Sequence, residues 1–173
     1  MSSRSALGYR VAWGLVLLAL PVICQQPQTA LPAAIVSLIQ EAESIELFAL
    51  DAYTRDNDPE HFEKHAISAS KFHGQSIYGS HVFSDLASIA RIKKAIFDST
   101  QADIHPAACF WPRHGLRFLS GPKRLDLVIC FQCHQMEIYT STGEEAATVM
   151  SAGESTLNSL LAQQGISNPS KAN

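Results

Sequence analysis

Three of the chain's four cysteines and two of its seven histidines fall between Ala107 and Tyr139, at spacings that admit several chemistries. Cys130-Phe131-Gln132-Cys133-His134 matches C-x-x-C-H, the pattern that attaches c-type haem through two thioethers and ligates its iron with the histidine. Met136 and Met150 are available as second axial ligands. Cys109, His114, Cys130 and Cys133 together offer the donors of a zinc site, without the second close-spaced pair that structural zinc motifs carry. Dithiol chemistry of the thioredoxin type needs the first cysteine at a helix N-terminus, whereas Cys130 follows a strand-like run. The plainest alternative is structural, with the cysteines as small core residues and one cross-strand disulfide. Arg113-His114-Gly115 adds a cation and a titratable ring, and Asp126 is a candidate partner for either. Upstream, His61 and His65 sit four apart, as two metal ligands on one helix face would. No third ligand accompanies them, and a solvated turn is the expectation.

The elements that must position these side chains read as a β-hairpin. Cys109–Leu119 is the expected first strand, Ser120-Gly121-Pro122-Lys123 the turn, and Arg124–Tyr139 the second strand. Leu125, Leu127, Ile129 and Phe131 alternate with Asp126, Val128, Cys130 and Gln132, the period-two pattern of a sheet with one face more buried. A symmetric turn sets Leu119 opposite Arg124, which brings Cys109 to the level of Cys133 and His134. A one-residue bulge at Pro112, which has no N–H for the ladder, puts Cys109 directly opposite Cys133. That makes Cys109–Cys133 the candidate disulfide, since directly opposed residues lie within bridging reach. In a regular strand Cys130 and Cys133 point to opposite faces, so a shared haem or metal requires the strand to kink or end between them.

Around the hairpin, Ala33–Ala42 has helical spacing after Pro32, and Ile45–Leu50 and Phe72–Phe83 read as strands. Ser84 is the expected cap of a helix from Asp85 to about Asp98, with Lys93 and Lys94 facing water. Ser151-Ala152-Gly153-Glu154 is a capping box opening a helix that Gly165 ends. The expectation is an α+β fold, an antiparallel sheet of about four strands with helices packed on one face.

Before the domain, Arg4 and Arg10 precede the uncharged run Val11–Ile23, which is of signal-peptide length and short for a membrane span. Residues 1–24 are therefore expected to be a signal, cleaved after Cys24 or, alternatively, processed so that Cys24 is lipidated and holds the protein at a membrane surface. Residues 25–42 read as a tether and short helix, 43–165 as one domain, and 166–173 as a frayed tail. The expected location is exported, periplasmic or anchored from the outer side. The chain has a formal net charge of −3 and no basic block, which excludes a nucleic-acid partner bound through phosphates. No G-x-S-x-G, H-E-x-x-H or phosphate loop is present.

Cys109-Phe110-x-Pro112-Arg113-His114-Gly115 followed by Asp126-x-Val128-Ile129-Cys130-Phe131-x-Cys133 resembles a motif of an uncharacterised family of small exported or lipoprotein-like bacterial proteins. Ile45-Glu46-Leu47 and Phe72-His73-Gly74 extend the resemblance over about residues 43–140. It implies a common fold and a common cysteine site, and it carries no activity. His134 is not part of that motif. The leading expectation is a non-enzymatic exported domain whose hairpin cysteines form a disulfide or a metal or thiol site. A monohaem electron carrier built on Cys130, Cys133 and His134 is the alternative, and a thiol or metal enzyme using Cys109, Cys130 and His114 comes third.

Overall fold

A computed structural model describes residues 30–51, 70–100 and 105–166. The signal segment with Cys24, most of the tether, the His61/His65 pair and the tail beyond Ile166 lie outside the described residues. The elements are α1 (Ala33–Glu41), β1 (Ser44–Asp51), β2 (Lys71–Phe72), β3 (Gln75–Phe83), α2 (Leu86–Ser99), β4 (His114–Ser120), β5 (Lys123–Cys130), β6 (Gln135–Thr140), β7 (Gly143–Thr148), and α3 (Glu154–Gln163), which follows a 3-10 turn at Ser151–Gly153.

The strands form one antiparallel half-barrel of seven, in the order β2-β3-β1-β4-β5-β6-β7. The expectation of about four strands is thus overturned, and three turns account for the difference. His73 and Gly74 both take positive φ (48° and 82°), which folds Phe72–Phe83 into the hairpin β2–β3. Phe131–His134 is a tight turn that splits the expected long second strand into β5 and β6. Past Thr140 the chain turns again and adds β7, whose residues are mostly exposed and carry no apolar alternation. The hairpin register itself pairs Leu119 with Arg124 and His114 with Ile129.

Side-chain alternation sorts the sheet into two faces. Ile45, Leu47, Leu116, Phe118, Leu125, Leu127, Ile129, Met136 and Ile138 join Ile35 and Ile39 of α1, Ile92 and Ile96 of α2, and Leu157, Leu160 and Leu161 of α3 in one buried cluster. Phe48, Leu50, Phe72 and Val128 make a second cluster on the opposite face. The helix ends depart from expectation locally. Asp85, not Ser84, caps α2, accepting the Ser88 N–H at 2.8 Å. Ser99 Oγ, not a capping box, receives the Gly153 N–H at 2.8 Å ahead of α3. Lys93 is turned toward α1, where it donates to the carbonyls of Gln40 (2.8 Å) and Ala42 (2.9 Å). At the end of α3, Gly165 has φ +71° and donates to Ala162, while Ile166 donates to Leu161, a Schellman closure. Among the described residues no helix is long and apolar enough to cross a membrane.

Candidate functional site

On the face away from the helices, β5 presents Arg124, Asp126, Val128 and Cys130 in an outward row, as its period of two requires. Two polar centres are built on that row.

The first is a group of three sulfurs. β5 ends at Cys130, and the turn reverses the chain so that Cys130 and Cys133, instead of diverging, meet in a disulfide with Cα atoms 5.2 Å apart. The odd spacing that separates them in a strand brings them together across a turn. Cys109 is the free, exposed cysteine, and its Sγ lies 3.8 Å from Cys133 Sγ. Its segment is not the expected strand. It crosses the β5–β6 turn, with the Ala107 N–H on the Cys133 carbonyl (2.9 Å) and the Gln135 side-chain amide on the carbonyls of Ala107 and Cys109. The Trp111 N–H donates to Cys133 Sγ at 3.3 Å, and the Cys133 N–H donates to Cys130 Sγ at 3.1 Å. Cys130 and Cys133 are each 2% exposed. Cys109 is thus beside Cys133, as the hairpin reading expected, but the bond in the structure joins Cys133 to Cys130.

The four residues named for zinc do not converge. His114 pairs with Ile129 and lies on the helix-covered face, where Nε2 meets Asn158 Oδ1 of α3 at 2.9 Å and the ring stands edge-on to Phe131. Cys130 is on the other face. Among the described residues no three His, Cys, Asp or Glu side chains group as metal ligands. Desolvation, reinforced by the Arg113 charge and opposed by the Asn158 hydrogen bond, brings His114 down to about 4. Of the residues named for haem, Cys130 ends β5, Cys133 and His134 lie in the turn that follows, and Met150 is exposed. Both cysteine sulfurs are joined to each other, and Met136 is packed in the helix-side core at 1% exposure.

The second centre was missed by sequence reasoning. Asp126, only 1% exposed, pairs with neither Arg113 nor His114 but with its cross-strand partner Arg117, with Arg124, and with His73. His73 Nε2 is 2.7 Å from Asp126 Oδ2, and Arg117 Nε is 3.1 Å from Oδ1. Burial pushes the Asp126 carboxyl up, but the hydrogen bonds from Arg124, Arg117 and His73 outweigh it and hold the group below the usual carboxylate value. The His73 ring is stacked on Tyr139 at 3.8 Å, and Arg117 lies over the Phe48 and Phe72 rings. The available signal was a lone acid inside the apolar run Leu125–Cys130, which in a half-buried strand must find cations. A cleft of about 710 Å³ opens beside this centre, walled by His73, Arg124, Asp126 and Tyr139 and by Ile35 and Leu38 of α1. The three cysteines do not line it, so this cleft and the sulfur chemistry are separate.

No protein-family model matches the chain, nor does any curated protein or solved structure.

Proposed function

We propose that this chain is an exported domain, over its described residues a seven-stranded antiparallel half-barrel with three helices, whose hairpin cysteines form a thiol–disulfide site, with Cys130–Cys133 as the bond and Cys109 as the thiol beside it. The observation that carries the reading is the 3.8 Å contact between Cys109 Sγ and Cys133 Sγ. Exchange proceeds by attack of a thiolate on a disulfide sulfur, and two sulfurs in contact have already met its proximity requirement. Export is supported by the positive, apolar N-terminal segment and by the fact that disulfides persist in oxidising compartments. Lipidation of Cys24, in place of cleavage, would hold the same site at a membrane surface.

The test is disulfide mapping of the full chain recovered from an oxidising compartment. Alkylation before digestion should label Cys109 and leave Cys130 and Cys133 linked within one peptide until reductant is added. A Cys109–Cys133 bond, or alkylation of all three, would sink the proposal. A Soret band that survives denaturation would replace it with the haem carrier.

A further inference from the structure

The three sulfurs are not equivalent, and their differences give the site a direction. Cys109 is exposed, whereas Cys130 and Cys133 are each 2% exposed. A partner's sulfur therefore reaches Cys109 and neither of the others. Cys133 is the middle sulfur, bonded to Cys130 and in contact with Cys109. Cys130 is the terminal one, and its Sγ already accepts the Cys133 N–H at 3.1 Å. A backbone N–H aimed at a sulfur favours the thiolate there. Trp111 supplies a second N–H, at 3.3 Å, to Cys133 Sγ. Each buried sulfur thus has a donor ready for the negative charge it carries when a bond to it breaks.

We infer that the site is a three-sulfur relay in which Cys109 exchanges with disulfides of other molecules, small or peptidic, and the oxidising equivalent is stored in Cys130–Cys133. This rests on the thiol–disulfide reading above. The steps balance. In the reduced protein, Cys109 thiolate attacks an external disulfide R–S–S–R′, forming Cys109–S–S–R and releasing R′–S⁻. Cys133 thiolate then attacks Cys109 Sγ, forming Cys109–Cys133 and releasing R–S⁻. Cys130 thiolate attacks Cys133 Sγ, forming Cys130–Cys133 and returning Cys109 to a thiolate. Two external thiolates are produced, and each attacking thiol has given its proton to solvent. Run backward, the same steps deliver the disulfide to an external dithiol. No pocket is required, because the partner need present only a sulfur.

The experiment uses the full chain carrying Cys24→Ser, so that only these three thiols count. The reduced protein is mixed with glutathione disulfide, quenched with acid and alkylator, and mapped by mass spectrometry over time. The parent should end with Cys130–Cys133 formed and Cys109 free. Cys133→Ala should stop with one glutathione on Cys109, and Cys130→Ala should stop with Cys109–Cys133. Cys109→Ser should still form Cys130–Cys133, but at least about tenfold more slowly. Far-UV circular dichroism of each variant checks that it is folded. Wild-type oxidation rates in Cys109→Ser, or glutathione found on Cys130 or Cys133 first, would overturn the relay while leaving the bond itself standing. Failure of the parent to form Cys130–Cys133 at all would overturn the underlying reading as well.

Discussion

A Cβ added to Gly115 would stand 2.7 Å from the Phe72 ring, closer than any unstrained contact. Gly115 lies in β4 beside Phe48 of β1, and the space it leaves is filled by Phe72, stacked on Phe48 at 4.2 Å. Phe72 is the last residue of β2, and the turn that follows it carries His73 to Asp126. The absent methyl group therefore decides whether the β2–β3 hairpin can fold down onto the sheet.

Gly115→Ala should accordingly destabilise the domain by about 1–3 kcal/mol, the usual range for overpacking a filled site. It should also loosen the His73–Asp126 pair. Urea melts measure the first effect, and the shift of the His73 ring protons in NMR spectra measures the second. An alanine variant as stable as the parent would show that Phe72 has another place to go.

Asp126→Asn keeps the shape and removes the charge. Arg117, Arg124 and His73 then face an uncharged amide at a position that is 1% exposed. Removing one partner of a buried ion pair costs about 3–5 kcal/mol, and the partial exposure of the arginines places this variant at or below the lower end. Chemical denaturation of Asp126→Asn and of the Arg117→Met, Asp126→Asn double variant gives the coupling. If the two changes simply add, the pair contributes nothing specific.

Buried neutral His114 sets an acid limit. Its folded value of about 4 is below the ordinary 6.5, so the unfolded chain binds the proton first. Stability from this group is complete above about pH 6.5 and is lost as pH falls toward 4, on the order of 3 kcal/mol in all. Asp126, held below 3.8, contributes only at still lower pH, so the two windows separate. Denaturation midpoints between pH 7 and 4 should fall for the parent and fall much less for His114→Gln. Equal slopes would place the acid sensitivity elsewhere.

What could be read from residues alone followed the strength of the local signal. The Gly-Pro turn at Gly121-Pro122 and the alternation of Leu125 to Ile129 are strong signals, and β4 and β5 pair in the register they imply. Two of the three turns that were missed are built with a histidine in the left-handed region, His73 (φ 48°) and His134 (φ 55°), where turn rules look for glycine or asparagine. The turn ending at His134 made the largest difference to the site. A strand through Phe131 and Gln132 pairs Cys133 with Cys109, whereas a turn there pairs it with Cys130. β7 was illegible because a strand of Gly, Glu, Ala and Thr exposed on the sheet edge has no pattern to follow. The Asp126 ion group takes its residues from β4, β5 and the β2–β3 turn, and only the fold brings His73 to it.

The Cys130–Cys133 bond should be separable from the fold. It closes a loop of four residues, and cross-link entropy grows only with the logarithm of loop length, so its contribution is about 2 kcal/mol. The β5–β6 pairing on either side is held by its own ladder from Asp126↔Tyr139 to Cys130↔Gln135. Reduction should therefore leave the far-UV spectrum unchanged and lower the melting temperature by roughly 5–10 °C. Cys109→Ser, which changes an exposed side chain outside the bond, should melt with the parent under both conditions. Calorimetric scans with and without a phosphine reductant decide the matter. Loss of secondary structure on reduction would mean that the bond holds the turn up, and a site whose fold depends on its disulfide cannot pass that disulfide to a partner.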